Sequence, residues 1–116
     1  MLTTHRLLSL RGAALAALAF ALGNTFAAPA CKVVSTSDSV AVVLCARSAG
    51  NDEWRSAGAL ACKDKKSCNA WIWDDESKAP KTAPAKDTDM PKSQTGAARA
   101  IWVSPGDQLI IVNKAK

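Results

Sequence analysis

Groups that carry acid–base catalysis are scarce in this chain of 116 residues, which has no tyrosine and a single histidine, His5. Downstream of residue 28 there is therefore no Ser-His or Cys-His arrangement. The sequence also lacks a Cys-x-x-Cys pair and a glycine-rich phosphate loop. These absences predict a protein that is not an enzyme, has no catalytic residues, and uses neither a metal ion nor a cofactor.

A hydrophobic run long enough to cross a membrane is also missing. The apolar stretch Ala13–Leu22 has ten residues, whereas a spanning helix needs about 20. Arg6 and Arg11 precede this stretch, and small residues up to Ala30 follow it, which is typical of a secretory signal. We therefore predict a signal peptide at residues 1–28, with cleavage near residues 27–30. The mature protein is expected to be periplasmic or secreted and not membrane-spanning.

Residues 29–116 form a chain of 88 residues, which is enough for one small domain. This part has thirteen lysines and arginines against ten acidic residues, a net charge of +3. The basic residues are spread along the chain with acids between them, whereas nucleic-acid binders concentrate them on one face. Nucleic acid is therefore not an expected partner.

All four cysteines lie in the predicted mature part, at Cys31, Cys45, Cys62 and Cys68. An even number of cysteines in a small exported domain predicts two disulfides. Three pairings are possible, and we favour the sequential one, Cys31 with Cys45 and Cys62 with Cys68. Lipidation of Cys31 is an alternative fate, although the preceding Ala28-Pro29-Ala30 lacks the leucine of a lipoprotein signal.

Most of the mature chain has the pattern of short strands. β-Branched or alternating residues occur at Cys31–Thr36, Ser39–Ala46 and Asn69–Asp75. Near the end, Arg99–Val103 and Gln108–Asn113 flank a Ser-Pro-Gly-Asp turn and predict a hairpin. Both faces of this hairpin are apolar, so we expect the rest of a small barrel or sandwich, or a partner chain, to cover it.

Two segments do not follow the strand pattern. Asp52–Ala61 fits a helix that places Trp54, Ala57 and either Leu60 or Ala61 on one face. Gly58 in its interior disfavours a helix and leaves strand open. Residues 78–95 are rich in proline and lysine and predict a long exposed, flexible loop. The predicted fold is mainly β: a small disulfide-stapled antiparallel β sandwich or barrel with a C-terminal hairpin, this loop, and at most one short helix.

Candidate binding residues lie in and before the strand Asn69–Asp75. Trp71 and Trp73 point to one side of it and form either part of the core or an exposed platform for a glycan. The basic loop that precedes it adds Lys63, Lys65 and Lys66 as candidate contacts.

Three functions are compatible with these features. The leading hypothesis is a small exported binding protein that recognises a protein in the cell envelope or outside the cell, as an inhibitor, immunity or accessory factor. The first alternative is binding of a cell-wall glycan through exposed tryptophan. The second is a hydrolase that uses carboxylates of the run Asp74, Asp75 and Glu76.

Overall fold

The computed structural model describes residues 30–114, and the predicted signal peptide lies outside this range. Within the described range, no helix is long and apolar enough to cross a membrane. Five strands, an eleven-residue helix and a one-turn helix follow in chain order: β1 Cys31–Thr36, β2 Val40–Cys45, α1 Asn51–Ala61, β3 Cys68–Trp73, α2 Lys92–Thr95, β4 Ala100–Ser104 and β5 Gln108–Ile111.

The five strands form one open sheet in the order β1-β2-β3-β4-β5. All neighbours are antiparallel except β2 and β3, which are parallel. Parallel strands cannot be joined by a tight hairpin, and α1 supplies the crossover between them. β2, an interior strand of the sheet with the sequence Val-Ala-Val-Val-Leu-Cys, is a continuous apolar run because both faces of the sheet are covered there.

α1 covers one face of the sheet. Its buried residues Trp54, Gly58 and Ala61 pack in a cluster with the sheet residues Ile72 and Trp102. The helix begins with Asp52 and Glu53 in its first turn, where negative charge suits the helix dipole. Gly58, the residue that made the sequence ambiguous, is where α1 comes closest to Trp102.

The proline- and lysine-rich segment 78–95 lies across the other face. It includes the one-turn helix α2, many of its side chains are exposed, and it is not detached from the sheet. Met90 is buried in a cluster with Val42 and Trp73. Three serines of the first hairpin also hold the segment: Ser35 Oγ accepts from the Ala83 amide, and Ser37 and Ser39 donate to the carbonyls of Pro84 and Ala85, at 2.7 to 2.8 Å.

The mainly β, disulfide-stapled class predicted from the sequence is confirmed, including the pairings Cys31–Cys45 and Cys62–Cys68. The sheet is single and open rather than a sandwich or barrel, because α1 and the segment 78–95 cover its faces instead of a second sheet. The predicted C-terminal hairpin is present, and in it Trp102 pairs with Leu109 and Ile101 with Ile110.

Candidate functional site

The two tryptophans of β3 lie on the face that the segment 78–95 covers. Their rings stack, with centroids 6.2 Å apart. Trp73 is fully buried and donates from Nε1 to the carbonyl of Gln94 at 2.9 Å. Trp71 is half-buried and donates to the carboxylate of Asp87 at 2.8 Å. Trp73 therefore cannot belong to an exposed platform. Both indole N–H groups donate hydrogen bonds to the segment 78–95 that covers this face.

The lysines Lys63, Lys65 and Lys66 lie in the loop that the Cys62–Cys68 disulfide closes. Lys63 and Lys66 are exposed, and Lys65 is half-buried. This loop precedes β3, whereas Trp73 is the last residue of the same strand. The structure therefore separates the two groups of candidate binding residues along β3 and does not combine them into one site.

A crevice of about 520 Å³ opens at the end of the sheet that is opposite the lysine loop, where β2, β3 and β5 end and β4 begins. The chain leaves β2 towards α1 on one face, but it leaves β3 towards the segment 78–95 on the other face. Ligands of open sheets bind where neighbouring connections diverge in this way. Arg47 follows β2, and Asp74 and Asp75 follow β3, so these residues line the crevice.

Arg99 forms the buried floor of the crevice. Its guanidinium pairs with the carboxylate of Asp74 and donates from Nε to the Asn113 carbonyl at 2.9 Å. The same group lies over the Trp54 ring, 5.3 Å from its centroid. Asn113 in turn donates to the carbonyls of Gly96 and Ala98, at 2.8 and 2.7 Å. These contacts tie α1, β3 and β5 together at one point.

Two carboxylates of the run from Asp74 to Glu76 are held by hydrogen bonds at this end of the sheet. Asp74 is engaged by Arg99. The pKa of Asp75 lies below 3.8 because Ser77 donates to its carboxylate from the hydroxyl and the amide, and because Lys78 and Arg47 are close. A general acid at neutral pH needs a raised pKa, so Asp75 does not support the hydrolase hypothesis. Among the described residues, no group of three or more His, Cys, Asp or Glu side chains could hold a metal ion.

An apolar surface adjoins the crevice along β5, the last strand of the sheet. Ile110, Ile111 and Val112 are 46, 40 and 38% exposed, and they follow one another in sequence. The face of the hairpin that bears Trp102 and Leu109 packs against α1. The cover expected on both faces of the hairpin is therefore incomplete at β5 within residues 30–114.

Comparison with known proteins gives no further guide to the site: the chain matches no protein-family model, and no curated protein or solved structure is detectably similar to it. The sequence did not predict the crevice, although two residues of its lining, Asp74 and Asp75, belong to the carboxylate run considered for hydrolysis. For the C-terminal hairpin, which contains β5, cover by a partner chain was one of the predicted alternatives. Arg47 directly follows a buried strand in the sequence. That position indicates a site only if β2 and β3 are parallel, because then their ends lie side by side.

Proposed function

We propose that this chain is a small exported protein that binds a partner protein along the open edge of β5, as an inhibitor, immunity or accessory factor. The observation that supports this proposal is the run of exposed apolar side chains at Ile110, Ile111 and Val112. An apolar strand at the edge of a sheet is prone to unwanted pairing unless something protects or covers it. Coverage by a partner accounts for this surface.

The other edge of the sheet carries the protective features that β5 lacks. β1 also exposes Val33 and Val34, at 39 and 41%. The second residue of β1 is a lysine, Lys32, and the pairing of β1 with β2 is irregular between Val33 and Ser35. Charges and bulges on an edge strand oppose the addition of another strand. The stretch from Gln108 to Val112 has no charged residue, so the comparison of the two edges favours β5.

Among the described residues, no strand pairs with the outer side of β5, whose backbone can therefore pair with an added strand. The Val112 amide donates to the Arg99 carbonyl and therefore points towards β4. Because backbone groups alternate in direction along a strand, those of Leu109 and Ile111 point to the open edge. An extended segment of the partner would hydrogen-bond to these groups and cover the side chains of Ile110 and Val112.

Export is the part of the proposal that the disulfides support. Two disulfides, Cys31–Cys45 and Cys62–Cys68, are consistent with a location outside the reducing cytoplasm. Each is expected to stabilise the domain by about 2 to 4 kcal/mol. A rigid scaffold lowers the entropy that is lost on binding, which suits a small protein that acts by contact alone.

The test is capture of a partner from envelope extract, with the full chain expressed, exported and purified in its oxidised form. Ile110→Lys places a charge in the proposed interface, and Val33→Lys places the same charge on the opposite edge. Leu60→Lys is a second control, because Leu60 is 67% exposed on α1. All three side chains are exposed, so we expect stability changes within about 0.5 kcal/mol.

We expect one stoichiometric protein to be retained by the wild type and by both control variants and to be lost with Ile110→Lys. Loss of the partner with Val33→Lys or Leu60→Lys but not with Ile110→Lys would place the interface elsewhere. Absence of any protein partner, with binding to purified cell wall instead, would favour the glycan alternative.

A further inference from the structure

Arg99 has hydrogen-bond donors for which the described part of the chain offers no acceptor. Its side chain is only 10% exposed, and a guanidinium carries five N–H groups. Nε donates to Asn113 and Nη1 to Asp74, whereas Nη2 has no acceptor among residues 30–114. Leaving buried donors unpaired costs free energy. Because Arg99 lines the crevice, an oxyanion held there is an acceptor within reach of these groups.

The rest of the crevice favours a negatively charged ligand. Arg47, Lys78 and Lys114 are exposed residues of its lining, in addition to Arg99. The two carboxylates, Asp74 and Asp75, leave the lining with a net charge of +2. A cleft lined by an excess of one charge concentrates ions of the opposite charge.

We infer that the crevice binds an acidic side chain of the same partner protein that lies along β5. This inference rests on the proposed function, since it assumes a partner strand on β5. The chain runs from β5 directly into the crevice through Asn113 and Lys114. A partner strand on β5 therefore brings its neighbouring residues to Arg99. A singly charged carboxylate suits the crevice better than a doubly charged phosphate, since the ionised Asp75 shares the same space.

The crevice also gives the interface its specificity. Strand addition at β5 uses main-chain groups that every extended peptide offers. A carboxylate received by Arg99 Nη2 would select among such peptides and set their register, because a charge-assisted hydrogen bond to a buried guanidinium requires a narrow geometry. Lys114 and Arg47 would act mainly on the rate of association through their charge.

The test needs no knowledge of the partner. The exported, oxidised full chain, labelled with ¹⁵N, is titrated with a blocked tetraglutamate peptide and, in parallel, with a tetraglutamine peptide and inorganic phosphate. With tetraglutamate we expect saturable changes in the NMR chemical shifts of the Gly96 and Ala97 amides and of Arg99 Nε. With tetraglutamine we expect no such changes. Phosphate is expected to bind at least tenfold more weakly than tetraglutamate.

Two charge reversals locate the binding. Arg47→Glu changes the rim of the crevice, and we expect it to weaken tetraglutamate at least tenfold. Lys86→Glu makes the same change in net charge at the far end of the sheet, where the neighbouring Asp87 bonds Asn69 near the start of β3, and we expect less than a twofold effect there. Equal weakening by both variants, no saturable shifts near Arg99, or preference for phosphate would each overturn the inference. Partner capture that depends on Ile110 would survive these results, so the two proposals fail separately.

Discussion

The substitution Gly58→Ala tests how closely α1 packs on the sheet. A Cβ at this position would lie 2.3, 2.4 and 2.8 Å from Cβ, Cγ and Cδ1 of Trp102. Carbon atoms in contact prefer about 3.5 to 4.0 Å, so the helix would have to retreat by about 1 Å. Trp102 is itself 6% exposed, within the cluster that contains Trp54. Its ring has no free space into which it could move.

Two opposing effects set the size of the change. Alanine is favoured over glycine in a helix interior by about 1 kcal/mol. Overpacking of a core costs about 1 to 3 kcal/mol and occasionally more. The closest clash at Gly58, 2.3 Å, is with Trp102 Cβ, which no rotation of the side chain moves, so the upper part of that range applies. We expect a net loss of about 2 kcal/mol, equivalent to roughly 10 °C in the melting temperature.

The assay is guanidinium unfolding of the oxidised protein, followed by tryptophan fluorescence. Gly50→Ala is the matched control: a Cβ at Gly50 would meet no atom closer than 3.5 Å, the distance to Glu53 Oε1. Because Gly50 is the N-cap of α1, we expect this variant to lose less than about 1 kcal/mol. The packing argument is refuted if Gly58→Ala is as stable as the wild type, or more stable.

Three further predictions concern other contacts. Trp71→Phe removes the donor to Asp87 and should lower the free energy of unfolding by about 1 to 2 kcal/mol. It should also speed hydrogen exchange in the segment 78–95, which NMR can measure. Unchanged exchange would contradict the anchoring role of Trp71. Ser77→Ala should raise the pKa of Asp75 towards 3.8 in a ¹³C-carboxyl titration. Since that pKa is lowered in the folded state, the stabilisation from Asp75 is present above the ordinary pKa of an aspartate and should disappear as the pH falls through its folded-state pKa. An equal pKa in the variant would contradict this. Reduction of both disulfides should lower the unfolding midpoint by an amount equivalent to about 2 to 4 kcal/mol for each bridge, and an unchanged midpoint would contradict their role.

Local patterns were enough to predict the strands and the disulfides. β2 and the hairpin of β4 and β5 are β-branched runs with clear turns, and their register follows from the alternation of side chains. The short loop between Cys62 and Cys68 and the hairpin between Cys31 and Cys45 each bring their own cysteines together. These features depend on residues that are close in sequence.

Features that depend on distant residues could not be predicted. Gly58 reads as a helix breaker until Trp102 is known to lie against it. The segment 78–95 has few large apolar residues, and it is held instead by the indole groups of Trp71 and Trp73 and by serine hydroxyls of the first hairpin. The crevice could be predicted only by knowing that β2 and β3 are parallel, because only then do Arg47 and Asp74 lie at the same end of the sheet.

Hydrogen exchange of the β5 amides in the complex with the captured partner tests the central claim most directly. The amides of Leu109 and Ile111 point to the open edge, so strand addition should slow their exchange by at least about tenfold. Those of Val33 and Val34 on β1 should exchange at the same rate in the free and bound protein. Protection at β1 with none at Leu109 and Ile111 would contradict the account.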